Sequence, residues 1–123
     1  MENSKGILLV AGRNKVFMLP GGGAEKGETR LKAAIRELRE ETGLKSRSCK
    51  YLFNYKGRKW KSKSGRIVRN LGKVFLINAV GKPRPHHEIK YVSYYTPKNK
   101  INISQGTLST IKMYLKMKEK NEL

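Results

Sequence analysis

The stretch "RELREETGL" (Arg36–Leu44) concentrates carboxylates in a chain that otherwise has few of them. The whole chain carries 28 Lys and Arg against 9 Asp and Glu, a formal net charge of +19. On a helix of about 3.6 residues per turn, Glu37, Glu40 and Glu41 share one stripe at i, i+3 and i+4. A solvated charged face is one interpretation, but like charges at that spacing cost roughly 0.2–0.5 kcal/mol per pair. The alternative is a site for a hard cation such as Mg²⁺ or Mn²⁺, which prefers oxygen ligands.

The residues around this stretch predict a helix over Thr29–Glu41. Thr29 is a suitable N-cap, and Gly43 stands where helices commonly end. Three apolar side chains recur at helical spacing and are expected to face the core: Leu31, Ile35 and Leu38.

The rest of the chain reads as mixed strands with one further helix, so we predict a single α/β or α+β domain over residues 1–123. The Pro- and Gly-rich "PGGGAEKGE" segment before the first helix is expected to be a loop. Alternating and apolar runs predict the strands Ile7–Ala11, Val16–Leu19, Tyr51–Tyr55, Ile67–Val80 and Glu88–Thr96, a basic loop over Lys56–Arg66 and a helix over Ser104–Lys118.

Composition narrows the class of protein. No apolar run is long enough to cross a membrane, and Ile7–Ala11 is too short for the core of a signal peptide, so a cytoplasmic protein is expected. Cys49 is the single cysteine, which excludes an internal disulfide and a cysteine-rich zinc site. The charge of +19 must be solvated, neutralised by counterions or matched to a polyanion, and nucleic acid, nucleotides, polyphosphates and acidic membrane surfaces all qualify as the polyanion.

A wider pattern surrounds the glutamates. From Gly22 the chain runs through five residues to Glu28, then seven residues to "REL", one residue, "EE", one residue and "GL" at Gly43 and Leu44. Residues 22–44 thereby match the Nudix box at every defined position, and the chain resembles the Nudix hydrolase family, including MutT-like pyrophosphohydrolases.

The resemblance implies a Nudix-type α/β/α sandwich with a mixed sheet and a catalytic loop–helix–loop. It also implies hydrolysis of a pyrophosphate bond in a nucleoside diphosphate linked to another group, with divalent metal bound by carboxylates. Such a metal would neutralise phosphate charge and lower the pKa of bound water. Mg²⁺ or Mn²⁺ is therefore the expected cofactor.

The family pattern also assigns roles within the box. Glu40 and Glu41 are the expected metal ligands, and Glu37 is a ligand or the general base. Gly21 would offer its backbone carbonyl to the metal. Glu28 and Arg36 are expected to form a salt bridge that fixes the loop against the helix.

Glu88 is the one acidic residue that lies away from both the box and the termini. The family often supplies a further ligand or base from a segment well after the box, and Glu88 is the candidate for that role. An ordinary strand-edge carboxylate paired with a lysine is the alternative.

The segment "KGRKWKSKSGR" places cations around a tryptophan. A solvated hairpin tip is one interpretation, and a polyanion contact with a stacking face is the other. The candidate substrate-binding residues are Arg58, Lys59, Trp60, Lys61 and Arg66.

Three substrate classes remain open from the sequence. The first is a nucleoside triphosphate or its deoxy counterpart, whose hydrolysis would release a monophosphate product. The alternatives are an inositol pyrophosphate and the 5′ pyrophosphate end of RNA. A different class is a Nudix-fold module that binds nucleic acid without catalysis, which the intact box disfavours. A homodimer is compatible with the family.

Overall fold

A computed structural model of the chain describes residues 1–123, apart from the side chain of Asn70. Its elements follow in chain order: strands β1 (Glu2–Asn3) and β2 (Gly6–Ala11), helix α1 (Arg30–Thr42), strands β3 (Lys45–Lys61), β4 (Ile67–Val80) and β5 (Tyr91–Tyr95), and helix α2 (Gln105–Glu119). None of the helices in this described part of the chain is long and apolar enough to cross a membrane.

The strands form two antiparallel sheets, one with the order β1-β2-β5 and one made of β3 and β4. A parallel bridge between Phe17 and Ile103 adds mixed character. Strand β2 lies between the two helices: Ile7 and Leu9 pack towards α2, while Leu8 packs towards α1. Because β2 is covered on both faces, its sequence is a continuous apolar run. The expected α/β/α architecture is confirmed.

Helix α1 begins and ends at the capping residues predicted from the sequence, and α2 begins at a capping serine. The Thr29 side chain accepts a hydrogen bond from the Lys32 N–H, and Gly43 ends α1 in the left-handed region with φ 77°. Ser104 caps α2 through the Thr107 N–H. Each cap satisfies backbone groups that a helix end would otherwise leave unpaired.

The buried face of α1 differs from the predicted stripe. Leu38 is buried as expected, but Leu31 is 39% exposed and Ile35 is only partly buried. The core side of the helix is instead formed by Ala33, Leu38, Glu41 and Thr42. Small residues let α1 approach the sheet closely, and this rotation turns Glu41 inward.

Two strand predictions and one loop prediction differ in extent from the structure. Val16–Leu19 forms only isolated bridges, through Phe17 and Met18. The predicted strand at Glu88 starts three residues later, at Tyr91, because His87 has φ 56° and Glu88 lies in a turn. The segment Lys56–Arg66, predicted as a basic loop or hairpin tip, contains the tip between β3 and β4 at residues 62–66, but its first six residues are strand because β3 continues to Lys61.

Candidate active site

Glu41 is the most buried acid of the box and lies in the last turn of α1, with 6% exposure. Its Oε1 accepts a hydrogen bond of 2.8 Å from the backbone N–H of Gly21, which brings the start of the box loop onto the helix. Burial raises the pKa of this carboxyl to about 7 against the opposing effect of that hydrogen bond. The negative charges of Glu37, Glu88 and Glu40 raise the same pKa further. Four carboxylates therefore act on one another in this region.

Glu37 lies directly against the box glycine. A Cβ atom built on Gly22 would lie 2.6 Å from Glu37 Oε1, closer than real Cβ atoms approach an oxygen. A Cβ atom built on Gly23 would have no other atom within 4 Å. An alanine at position 22 would therefore have to displace the Glu37 carboxylate, whereas one at position 23 would meet no such contact.

Arg36 connects the loop to the helix. Its Nε and Nη2 donate to the two carboxylate oxygens of Glu28 at 2.8 and 2.9 Å, and Nη2 also donates to the Gly23 carbonyl at 3.2 Å. Its Nη1 donates to Glu37 Oε1 at 3.0 Å and to Glu40 Oε2 at 3.1 Å. The salt bridge between Glu28 and Arg36 expected from the family pattern is present in this bidentate form, the geometry in which arginine binds carboxylates best.

The charge pairing also affects protonation. The hydrogen bond from Arg36 lowers the pKa of Glu28 to about 2, assisted by the backbone N–H of Glu25, which donates to Glu28 Oε1 at 2.9 Å. Glu28 in turn raises the pKa of the Arg36 guanidinium. Arg36 stays charged and Glu28 stays ionised, so this pair supports the loop and is not suited to proton transfer.

Glu88 follows a segment whose backbone is hydrogen-bonded to the end of α1. The backbone N–H of Arg84 donates to the Thr42 carbonyl at 3.0 Å, and that of His86 donates to the Glu41 carbonyl at 3.1 Å. The His86 imidazole also lies over Gly43, where an added Cβ would be 3.1 Å from Nε2. This short tether uses helix-terminal carbonyls that lack intrahelical partners. It leaves Glu88 exposed, at a distance from which its charge influences Glu41.

The donor chemistry of this region suits a hard cation. Carboxylate oxygens lie along one side of α1. Burial and, after it, the charges of the neighbouring acids raise the pKa of Glu41, so a cation among these acids would relieve their repulsion. Among the described residues, no group of three or more His, Cys, Asp or Glu side chains forms a ready-made cage. Mg²⁺ does not need one, because it commonly takes one or two carboxylates together with waters and substrate phosphates.

A cavity of about 720 Å³ opens beside the box loop. It extends from Gly21–Gly23, past Ala33 and Ala34 of α1, to Leu71–Ile77 of β4 and the first turn of α2. Tyr55 lines it from β3, with its hydroxyl in contact with Gly106. The volume is in the range of small-molecule sites. Sequence reasoning missed Gly106 and Thr107, because only the tertiary packing of β3 on α2 brings them beside the box.

The structure separates the five basic-segment candidates. Lys59 pairs with Arg69 and Lys61 with Ile67, whereas Trp60 pairs with Val68 and therefore points to the opposite face. Arg58 lies in the irregularity between Lys56 and Lys59, and the Arg66 backbone closes the turn by accepting from the Ser62 N–H at 2.8 Å. The Trp60 side chain therefore lies on the opposite face of the hairpin from Lys59 and Lys61, and their role in substrate binding stays a prediction.

An α/β/α sandwich with this loop–helix–loop and its carboxylates defines the class of Nudix-fold proteins. The profile of the NUDIX domain matches residues 1–114, and the chain belongs to this family. It is similar to a solved structure assigned to the nudix hydrolase family from Chromobacterium violaceum, with 33% identity and a TM-score of 0.77. That match covers 96% of this chain and 74% of the other.

Curated relatives match over shorter segments. The RNA pyrophosphohydrolase of Pelagibacter ubique (strain HTCC1062) is 37% identical over 71 residues, which cover 45% of each protein. YtkD of Bacillus subtilis (strain 168), assigned as an 8-oxo-dGTP diphosphatase, is 43% identical over 49 residues, covering 40% of this chain and 31% of YtkD. The chain thus spans less than half the length of these curated relatives.

Proposed function

We propose that this protein hydrolyses a pyrophosphate bond in a nucleotide substrate and that the reaction depends on Mg²⁺ or Mn²⁺. One observation carries the proposal: Glu37 and Glu41 contact the box loop at Gly22 and Gly21, and the cavity opens from that loop. A polyphosphate bound there would lie against the carboxylate side of α1, and the cavity has the volume for the rest of a nucleotide.

Glu40, Glu41 and Glu37 would bind the metal, with the Gly21 carbonyl as a further ligand and Glu88 as a ligand or the general base. When bound, the metal neutralises phosphate charge and lowers the pKa of a water molecule. Arg36 and Glu28 act as positioning residues, because their paired charges fix the loop that carries Gly21 and Gly22.

The reaction itself is a hydrolysis. The water oxygen forms a bond to a phosphorus atom, and the bridging bond between that phosphorus and oxygen breaks. The leaving phosphate or pyrophosphate keeps the electron pair of that bond. A carboxylate of the cluster accepts the proton from the attacking water. Such general-base assistance contributes about 10²- to 10⁴-fold to the rate.

The leading substrate class is a nucleoside triphosphate or its deoxy counterpart, which YtkD supports by its assignment. The 5′ pyrophosphate end of RNA is a second candidate, and one specific feature favours it. The β3–β4 hairpin is strongly basic and adjoins the cavity, and several relatives with short matches are RNA pyrophosphohydrolases.

A substrate panel tests the proposal. Purified protein with Mg²⁺ would be given (d)NTPs, 8-oxo-dGTP, an inositol pyrophosphate and 5′-triphosphorylated RNA, and release of phosphate and pyrophosphate would be measured. We expect turnover of at least one nucleotide substrate, abolition by a chelator, and a loss of about 10³-fold or more in Glu41→Gln. The matched control is Glu122→Gln, which removes an exposed carboxylate near the C-terminus.

Two results would contradict the proposal. The first is equal turnover by wild-type protein and Glu41→Gln. The second is the absence of turnover on every pyrophosphate combined with salt-sensitive RNA binding, which would instead identify a non-catalytic binding module.

A further inference from the structure

One face of the β3–β4 hairpin carries five cations and no acid, with apolar side chains among the cations. Strand β4 is regular, so its alternate residues share a face with their cross-strand partners on β3. Phe75 and Ile77 pack on the α1 side of the molecule. The other odd-numbered residues of β4, together with their partners on β3, therefore lie on that side as well. Beyond α1 this series forms the cationic face, defined here as Lys56, Lys59, Lys61, Arg69 and Lys73.

The charge on the cationic face is not neutralised by nearby acids. No Asp or Glu occurs between Glu41 and Glu88. Within the part of the chain that the structure describes, the ion pairs involve Arg36 and Lys118 and no cation of the hairpin. Lys59 also lies directly opposite Arg69, an arrangement of like charges that destabilises a strand pair. A polyanion bound across the strands would remove this repulsion.

Apolar side chains lie among these cations. Ile67 is 67% exposed and Leu71 is 62% exposed, and both belong to the same series as Arg69. At the inner end, the Lys73 ammonium lies 5.7 Å from the centre of the half-exposed Tyr51 ring. Cations with interspersed apolar and aromatic surface suit a ligand that combines phosphates with flat bases.

The cationic face continues into the candidate active site. The Arg30 guanidinium, at the first residue of α1, lies 3.4 Å from the Leu71 carbonyl. Arg30, Leu71 and Lys73 also line the same cavity as the box loop. From Lys73 outward to Ile67 the strand spans about 20 Å, at roughly 3.4 Å per residue. A chain that leaves the catalytic loop would therefore follow β4 outward along the hairpin.

We propose that the cationic face binds the phosphodiester backbone of the nucleotides that follow the 5′ end of an RNA strand, while the terminal pyrophosphate lies at the box. This inference rests on the proposed function and deepens it, because it selects a polymer over a free nucleotide. Trp60 is outside this contact, since its side chain lies on the other face of the hairpin. The affinity of the protein for RNA then depends on the length of the bound strand as well as on its 5′ group.

The test compares two double variants with the same loss of charge. Lys59→Gln with Lys61→Gln alters the cationic face, and Lys112→Gln with Lys116→Gln alters exposed positions of α2. Binding of a single-stranded 12-nucleotide RNA with a 5′ hydroxyl would be measured against salt concentration. Turnover would be measured on the same RNA with a 5′ triphosphate and on GTP.

We expect the hairpin variant to bind RNA about 20-fold more weakly at 0.1 M salt, because each phosphate contact contributes about 0.7 to the salt slope for single strands. The slope itself should fall by about 1.4. The ratio of kcat/KM for RNA to that for GTP should fall by a similar factor. The α2 variant should bind RNA and discriminate between the two substrates as the wild-type protein does.

Several outcomes would overturn the inference. Unchanged RNA binding by the hairpin variant would do so, as would an equal loss of kcat/KM on RNA and GTP, which would place these lysines at the polyphosphate. Loss of binding to anionic phospholipid vesicles with RNA binding intact would indicate a membrane surface instead. If no substrate is turned over but RNA binding still depends on the hairpin lysines, the proposed hydrolysis fails while the RNA surface stands.

Discussion

Helix α1 with its box loop and the β3–β4 hairpin both carry like charges at high density, and they treat those charges in opposite ways. In the first region Arg36 lies among Glu28, Glu37 and Glu40 and donates hydrogen bonds to all three. In the hairpin, Lys59 lies opposite Arg69, and no described acid forms an ion pair with either. In the first region an arginine is bound between the acids, whereas the cations of the hairpin are exposed to solvent.

The side chains of the acidic region are held in position by hydrogen bonds within the protein. Those of the hairpin would become ordered only when a ligand binds. A carboxylate that accepts from Arg36 or from a backbone N–H has a defined position, which catalysis needs because small displacements are costly. Exposed lysines on a strand keep their side-chain freedom and contribute long-range attraction. The acidic region is thus suited to chemistry, and the basic region is suited to capture.

The largest expected effect on turnover within the acidic region concerns Glu88, which comes from a different segment of the chain. If Glu88 is a metal ligand or the general base, Glu88→Gln should lower kcat by about 10³-fold. The change should leave the thermal midpoint almost unaltered, since Glu88 is exposed. Phosphate release on the best substrate of the panel would measure the effect, with Glu119→Gln as the control for loss of an exposed carboxylate. Near-wild-type turnover would remove Glu88 from the site and restrict the acidic region to α1.

Gly22 tests how closely the loop and the helix must fit, and we expect a smaller effect there. In Gly22→Ala the new methyl group would meet Glu37 Oε1 at 2.6 Å and displace that carboxylate or the loop. A displacement of about 1 Å costs on the order of 10²-fold in rate. Gly23→Ala is a matched control one residue away, since nothing lies within 4 Å of its added Cβ. Steady-state kinetics on both variants would decide; equal activity of the two would show that the contact with Glu37 is not needed.

Sequence patterns predicted the acidic region far better than the basic one, for a physical reason. The helix, its caps at Thr29 and Gly43, and the stripe of glutamates all follow from local spacing, and the structure has all of them. The depth of Glu41 was not predicted, because the apolar stripe at Leu31 suggested a different rotation of the helix. Which face reaches the core depends on how closely small residues let α1 approach the sheet, and that is a tertiary property.

The full length of the first hairpin strand was not predicted, because strand pairing is non-local. A run of lysines has low strand propensity, yet β3 extends to Lys61 because β4 offers backbone partners along its length. Each irregularity in β3 adds one residue, and each reverses which residues share a face. The separation of Trp60 from Lys59 and the tether from His86 to Glu41 both depend on such pairings, which spacing along the chain does not encode.

The smallest expected effect concerns stability. It tests whether the acids around Glu41 destabilise its charged form. The pKa of Glu41 is raised to about 7, so the folded protein binds this proton more tightly than the unfolded chain does. Glu41 therefore contributes least to stability at high pH: the free energy of unfolding falls as pH rises from about 4.5 to about 7 and stays low above that range. Glu41→Gln lacks this titration and can still accept the hydrogen bond from Gly21.

With a chelator present, we expect Glu41→Gln to unfold at a higher temperature than wild-type protein at about pH 8, and the difference should vanish near pH 4.5. After allowance for solvent screening the gain is on the order of 1 kcal/mol, or about 4 °C in Tm for a chain of this size. Thermal unfolding followed by circular dichroism at several pH values would measure it. Added Mg²⁺ should raise the Tm of wild-type protein at pH 8 more than that of Glu41→Gln, because a bound cation stabilises only a folded state that binds it. A constant difference between the two proteins at every pH would show that Glu41 does not titrate in this range and that its neighbours do not repel it.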